Sequence, residues 1–174
     1  MTFSSARAII DHLTERINNQ SPSSLTAIAF HADLNPNWLD KFLARVAAPI
    51  GNVADIQYSS GVIVHPSGDQ EQLRGGVVVI TADVVVSATF DADAQELRTR
   101  GEVRVWRRSQ IERVTVGPVT LPVGDEPGVR SMNGNASVTL TMPGEHEVQV
   151  PFGTEDALVW DAALLAFLPA LLRA

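Results

Sequence analysis

In the N-terminal part of the chain, apolar side chains recur at intervals of three and four, the spacing that predicts amphipathic helices. One helix is expected from Ser5 to Asn18. A second is expected to begin at Asn35-Pro36, where an N-cap residue precedes a proline at the first helical position. The run between them, Leu25 to Asp33, fits both the helical and the strand period, and we favour a helix. Residues 1–51 are therefore interpreted as an N-terminal helical segment.

The longest apolar run lies at the C-terminus, from Thr154 to Ala174, and predicts a helix with Thr154 as its N-cap. One face of this helix consists of residues at helical spacing, namely Ala157, Trp160, Leu164, Phe167 and Leu171. The other side is also apolar and carries Leu158, Leu165, Leu168 and Leu172. A helix that is apolar nearly all round is normally buried on two sides. We expect the N-terminal helices to cover its back, or a second copy of the chain to do so through Leu158, Leu165 and Leu172.

From Val53 onward the pattern changes to seven short β-rich runs separated by turn residues. The turn signals are Thr81-Ala82-Asp83, Asp91-Ala92-Asp93, Asn133-Gly134 and Pro143-Gly144. Short links favour antiparallel pairing of consecutive strands, because parallel strands need long crossovers. Residues 52–174 are therefore predicted to form a seven-stranded antiparallel bent barrel capped by the C-terminal helix, and the fold class is α+β. A helix packed on a flat sheet, or a small open barrel with a ligand cavity, are the alternatives.

This order of elements, together with Trp160 near the start of the final helix and the segment VVVITADVVVSATFD, resembles bacterial members of the pleckstrin-homology-like superfamily over residues 53–174. The resemblance implies a barrel plugged at one end by the helix and used as a docking scaffold for lipid headgroups, peptides or proteins. The chain lacks the lysine-rich first hairpin of the phosphoinositide-binding members. The matching stretch carries Asp69 and Glu71 with only Arg74, so phosphoinositide binding is not expected.

Charge and composition narrow the classes of partner. The 174 residues carry a net charge of −7, which argues against nucleic acids and anionic membranes as partners. There is no cysteine, so a disulfide framework and a thiolate zinc site are excluded. The N-terminus lacks the pattern of a secretory signal, and the C-terminal apolar run is too short to span a bilayer. These features predict a cytoplasmic protein without a transmembrane segment.

Residues that could carry catalysis are sparse. The four histidines, His12, His31, His65 and His146, stand far apart and lack partners at metal-binding spacing. The acidic run from Asp91 begins like a calcium loop, but Glu96 stands where that loop requires glycine. No nucleotide-binding or hydrolase motif occurs. We therefore predict no catalytic residue, no metal and no cofactor, and favour a non-enzymatic role.

The strongest functional signal is a basic strand in an acidic chain. Between Arg98 and Arg113 there are six arginines and two glutamates, a local balance of +4 that leaves −11 for the rest. Strand alternation places four of these arginines and a tryptophan on one face, and we predict that they bind a partner: Arg98, Arg100, Arg104, Trp106 and Arg108. Guanidinium groups beside an aromatic ring suit contacts with carboxylates at interfaces. The alternative is a solvated sheet face whose arginines pair with Glu112, Glu145 or Glu147.

Three function classes remain open, and the third is an enzyme of a family that the sequence does not identify. The first is an interaction module that binds an acidic segment of a protein partner or associates with itself. The second is a carrier of a small apolar ligand or lipid, with a cavity between the sheet and the C-terminal helix. The long loop 117–135 is either an irregular linker or a binding lid.

Overall fold

The computed structural model describes residues 3–20, 38–64, 72–93, 98–117, 136–152 and 162–173. Within these ranges the chain is α+β, with three α-helices and seven β-strands. The helices are α1 (Phe3–Gln20), α2 (Trp38–Ala47) and α3 (Ala162–Leu171). The strands are β1 (Ile56–Val64), β2 (Gln72–Thr81), β3 (Val84–Asp93), β4 (Arg98–Arg107), β5 (Arg113–Val116), β6 (Val138–Met142) and β7 (His146–Val150).

The strands form two antiparallel sheets in which consecutive strands are neighbours. Sheet A has the order β1-β2-β3-β4 and sheet B has the order β5-β6-β7. This confirms the predicted strands and their antiparallel pairing, but no closed barrel is found among the described residues, so the seven-stranded barrel is not confirmed. The chain leaves sheet A at a 3-10 turn, Arg108–Gln110, in which the backbone N–H of Arg108 donates to Asp83 O at 2.7 Å. This turn separates β4 from β5.

Helices α1 and α2 cover one face of sheet A. The apolar stripes predicted from helical spacing are buried there, including Ile9, Leu13, Ile17, Leu39, Phe42, Leu43 and Val46. Trp38 and Phe42 pack on the ring of Phe90, with centroids 5.1 and 5.0 Å away. Gly75 makes room for that ring, since a Cβ at this position would lie 2.8 Å from it. A first hydrophobic core thus joins the N-terminal helices to the sheet.

The other face of sheet A contributes to a second core, shared with sheet B and α3. Alternation along β2 explains the division, because Val77 and Val79 belong to the first core while Val78 and Ile80 belong to the second. Sheet A is therefore the middle layer. The expectation that the N-terminal helices cover the back of the C-terminal helix is wrong, since the two helical layers belong to opposite faces of the sheet.

The predicted inner face of the C-terminal helix is confirmed where it is described, because Leu164, Phe167 and Leu171 are buried. Phe167 stacks on Tyr58, with 5.7 Å between the ring centroids. The predicted self-association residues divide: Leu165 is half-buried against the second core, and Leu172 is 56% exposed. Leu158 lies outside the described residues. The exposed apolar stripe is therefore narrower than the sequence suggested.

Two predicted turns, Thr81-Ala82-Asp83 and Pro143-Gly144, are found, whereas the turn predicted at Asp91-Ala92-Asp93 is wrong, because these residues end β3 and pair with β4. Thr81 Oγ1 accepts from the backbone N–H groups of Asp83 and Val84 at 3.1 and 3.0 Å, which closes the β2–β3 hairpin. In the β6–β7 hairpin, three residues connect Met142 to His146, and two of them, Gly144 and Glu145, adopt φ of 78° and 59° in the left-handed region. Other expectations lie outside the described residues: the run from Leu25 to Asp33, the cap at Asn35-Pro36, Asn133-Gly134 and nearly all of loop 117–135.

Candidate functional site

The two edge strands of sheet A differ in what covers their backbone groups. Helix α1 covers the first edge strand, β1. Arg16 donates from Nε and Nη2 to the carbonyl oxygen of Ser59 at 3.1 and 2.9 Å. One turn further along the helix, Gln20 Oε1 accepts from the backbone N–H of Gly61 at 2.9 Å. His12 Nε2 lies 3.0 Å from the hydroxyl of Ser59. Side chains four residues apart on one helix thus occupy backbone groups that an added strand would need.

These bonds also reveal which residues of the other edge, β4, face outward. In an antiparallel ladder, successive residues direct their backbone groups to alternate sides, so Ser59 and Gly61 face α1 and Ser60 faces β2. The register of the sheet extends this alternation from β1 to β4. The pairs that bond to each other are Ser60 with Val78, then Val79 with Val86, then Val85 with Trp106. Trp106 and Arg104 therefore bond to β3, whereas Val103 and Val105 direct their backbone groups away from the sheet.

The outward direction is confirmed at the end of β4. Arg107 has the same parity as Val105, and its backbone N–H donates to Gln110 Oε1 at 2.9 Å instead of to β3. No backbone hydrogen bond from another described element reaches Gly101, Val103 or Val105. Within the part of the chain that the structure describes, β4 is thus an open edge, closed at its C-terminal end by one glutamine side chain.

The residues of β4 give this edge of sheet A a net positive charge. β4 holds four arginines and one glutamate, a balance of +3. Arg104 donates from Nε and Nη2 to the two oxygens of Glu102, at 2.7 and 3.0 Å. This contact lowers the pKa of the Glu102 carboxyl and raises that of the Arg104 guanidinium. Both groups are therefore charged at neutral pH, and both side chains are partly exposed, 42% for Arg104 and 59% for Glu102.

The tip of the β6–β7 hairpin reaches the same cluster. Arg104 Nη1 lies 2.7 Å from His146 Nδ1, and because guanidinium has no acceptor, Arg104 is the donor in this contact. The Trp106 and His146 rings are 6.1 Å apart between centroids. A surface cluster of Glu102, Arg104, Trp106 and His146 therefore spans the two sheets.

The prediction that Arg108 is exposed to a partner beside Arg104 is wrong. Arg108 lies after the end of β4 and is only 9% exposed. Its Nη1 donates to Gln57 Oε1 at 2.6 Å and to Thr81 O at 3.2 Å, and its Nη2 donates to Ala170 O at 2.9 Å. The guanidinium carbon also lies 5.6 Å from the centroid of the Phe167 ring. Arg108 therefore fastens the last turn of α3 to sheet A.

Arg98 and Arg100 occupy backbone positions opposite Asp93 and Asp91 in the register of β3 and β4. Their side chains lie outside the description. The alternative pairing of the arginines with Glu112, Glu145 or Glu147 is not seen at Arg104, whose carboxylate partner is Glu102 on its own strand. Alternation along the strand could have indicated this pair. Nothing in the sequence pointed to His146 or Gln57, because both meet their arginines across distant segments.

The other polar contacts and cavities among the described residues do not form a site for catalysis or for an apolar ligand. Ser59 and His12 form a serine–histidine contact, but Ser59 is 3% exposed and lies in β1 against α1. A cavity of about 390 Å³ is lined by Asp55, Gln57 and Asp83, among others, and one of about 460 Å³ by Arg74, Asp91 and Glu102, among others. Neither lining includes α3, where a carrier site was expected. No group of three or more metal-ligating side chains occurs among these residues.

Within the described ranges, none of the helices has both the length and the apolar character required to cross a bilayer. Comparisons of the chain with protein-family models, with curated proteins and with solved structures find no significant match. Function is therefore inferred from the geometry of the chain itself.

Proposed function

We propose that the chain is a non-enzymatic protein-interaction module that binds an acidic segment of a partner protein along β4. The observation that carries the proposal is the contrast between the two edges of sheet A. Helix α1 closes β1 with side-chain hydrogen bonds, whereas no other described segment bonds to the backbone of β4 at its central residues, and β4 carries a charge of +3. Proteins usually block exposed sheet edges because these invite unwanted pairing. An edge left open beside a blocked one is suited to a partner.

The charge distribution supports an acidic partner. The whole chain has a net charge of −7, so β4 with its +3 is a local exception. Complementary charge steers a partner to such a patch and suppresses partners of the wrong sign. Arg104 presents a planar donor group suited to a carboxylate, and Trp106 and His146 offer rings for packing next to it.

The proposal includes the pleckstrin-homology-like assignment. Four antiparallel strands, then three, then a helix is an order consistent with a barrel-like scaffold that the C-terminal helix closes at one end. Docking of peptides or proteins is what the resemblance implies for such a domain. The acidic surroundings of the first hairpin remain the reason to expect a protein partner and no phosphoinositide.

Charge reversal at one arginine tests the proposal. The probe is a fluorescent peptide of about ten residues that alternates glutamate and valine, a length suited to a strand. Arg104→Glu should weaken binding by about tenfold or more, because it places like charges opposite each other. The matched control is Arg113→Glu, the same charge change on an exposed position of β5 in sheet B.

Fluorescence anisotropy measures the dissociation constant of each variant, and circular dichroism verifies that each is folded. Binding that weakens at Arg104 and changes less than about twofold at Arg113 supports the proposal, since distant surface charges act mainly through screened, long-range attraction. Equal weakening by both substitutions, or failure of the unmodified chain to bind the peptide, would contradict it.

A further inference from the structure

We infer that the partner segment binds by adding a strand to sheet A alongside β4, with a sequence that alternates acidic and apolar residues. This inference rests on the proposed function and specifies its binding mode. Strand addition is a common way for a protein to bind an extended peptide, in which backbone hydrogen bonds supply affinity and side chains supply specificity. The open edge of β4 has the backbone pattern that this mode requires.

The backbone pattern follows from the outward parity of β4. Thr99, Gly101, Val103 and Val105 each present an N–H and a C=O away from the sheet, as the register requires. Successive outward residues are separated by about 7 Å, the two-residue repeat of a strand. At Arg107 the next outward N–H is already bonded to Gln110. An added strand can therefore pair with β4 up to Val105 and no further.

The side chains of β4 set a different requirement on each face of the added strand. The face of β4 towards sheet B carries every second residue, namely Glu102, Arg104 and Trp106. Arg104 is the cation on this face beside the added strand. On the face towards the helices, Val103 packs on the first core and Val105 is 45% exposed. A carboxylate opposite Arg104 and apolar side chains beside Val103 and Val105 would satisfy both faces. The partner segment thus carries acidic side chains on one face of the strand and apolar side chains on the other.

A second copy of the chain is a poorer occupant of this edge. Pairing β4 with its own copy would bring two strands of charge +3 together, and like charges on paired strands are destabilising. An acidic segment neutralises the same residues. Charge complementarity therefore commits the site to an acidic strand from a different protein.

N-methylation of the peptide backbone tests the binding mode. In a bound strand, the N–H groups of alternate residues face β4 and the others face solvent. Two versions of the glutamate–valine peptide are compared, one methylated at its valine nitrogens and one at its glutamate nitrogens. In an antiparallel added strand, the residues opposite Val103 and Val105 bond to them, so methylation of the valines should weaken binding by about tenfold or more while methylation of the glutamates leaves it nearly unchanged.

A parallel added strand gives the reverse pattern, because its bonding residues then lie on the face of Arg104. Either asymmetric result supports strand addition and reports its direction. Equal effects of the two methylated peptides would overturn it. If the unmodified peptide still binds in an Arg104-dependent manner, only the binding mode fails, whereas absence of binding would remove the proposed function itself. Sedimentation of the chain without peptide completes the test. A dimer that dissociates when the peptide is added would mean that a second copy of the chain, and not an acidic partner, binds at β4.

Discussion

Arg108 shows why a residue's role depends on where its strand ends. Alternation along the basic stretch predicts an exposed side chain beside Arg104, but the chain turns into a 3-10 helix at Arg108 and the side chain is buried against α3. There it donates to Gln57, to Thr81 and to Ala170 in the last turn of α3, where the helix macrodipole favours a cation. Two neighbouring arginines, Arg107 and Arg108, thus have opposite roles.

Truncating Arg108 should destabilise the fold. Arg108→Ala removes a buried group whose hydrogen bonds join three segments, and we expect the free energy of unfolding to fall by about 2–4 kcal/mol. The control is Arg107→Ala, an exposed neighbour whose loss should change stability by no more than about 0.5 kcal/mol. Urea unfolding measures both. Similar small effects for the two variants would show that Arg108 does not hold α3 in place.

His12 gives stability a pH dependence of defined sign. Burial, assisted by Arg16, lowers the pKa of His12 below its ordinary value of 6.5, although Glu15 acts in the opposite direction. The unfolded chain therefore binds a proton at a higher pH than the folded chain does. Stability is unaffected well above the ordinary histidine pKa and falls as the pH decreases below it towards the folded-state pKa.

Replacing His12 by glutamine should reduce this pH dependence. His12→Gln retains a polar group beside Ser59 but cannot titrate. Free energies of unfolding are compared at about pH 7.5 and about pH 5.5, on either side of the ordinary histidine pKa. We expect the original chain to lose more stability than the variant over this interval. Equal losses would mean that His12 titrates alike in the folded and unfolded states.

At the scale of elements, α1 performs two tasks with two sides of one helix. Its apolar residues at helical spacing pack in the first core, and its polar residues Arg16 and Gln20 bond to the backbone of β1. The double variant Arg16→Ala, Gln20→Ala should expose this edge and lower the free energy of unfolding by about 1–3 kcal/mol, because it leaves backbone groups without partners. Asn19→Ala, at an exposed position of the same helix, is the control.

Light scattering over time is the second measurement on this pair of variants. An uncovered edge offers a template for strand pairing, so the double variant should self-associate faster than the control at equal concentration. A double variant that remains monomeric and as stable as the control would contradict the view that α1 protects β1.

Elements were more predictable from the sequence than their arrangement. Helical spacing located Leu13 and Phe42 correctly, and alternation together with Thr81-Ala82-Asp83 located the strands, because these signals are local. The division into two sheets depends on the turn at Arg108, and the contact between Arg104 and His146 joins residues 42 positions apart. Side-chain periodicity records which face of an element is apolar, but not which layer covers it. That is why α1 and α2 were expected on the wrong side.

At the scale of the whole molecule, one sheet separates two cores. The division into residues 1–51 and 52–174 remains a prediction, yet the first core takes side chains from both sides of that boundary, such as Leu43 and Val79. We therefore expect the fragment 52–174 not to fold by itself, because removal of α1 and α2 would expose one apolar face of sheet A.

The fragment and the full chain can be compared directly by calorimetry. The full chain should unfold in a single cooperative transition, as is usual for chains with a continuous sheet at their centre. The fragment should give no such transition and should aggregate through its exposed face. A fragment that unfolds cooperatively, at a temperature close to that of the full chain, would instead establish residues 52–174 as an independent domain.

The asymmetry between β1 and β4 has a consequence for stoichiometry. A sheet with two open edge strands can pair with another strand at each edge and can therefore extend into a filament. Here side chains of α1 bond to backbone groups of β1, so β4 is the edge strand of sheet A that remains for pairing with a partner. Once β4 is paired, sheet A has no second open edge strand among the described residues to offer the next molecule. It would terminate an extended assembly, and complexes with an acidic partner should therefore be discrete and equimolar.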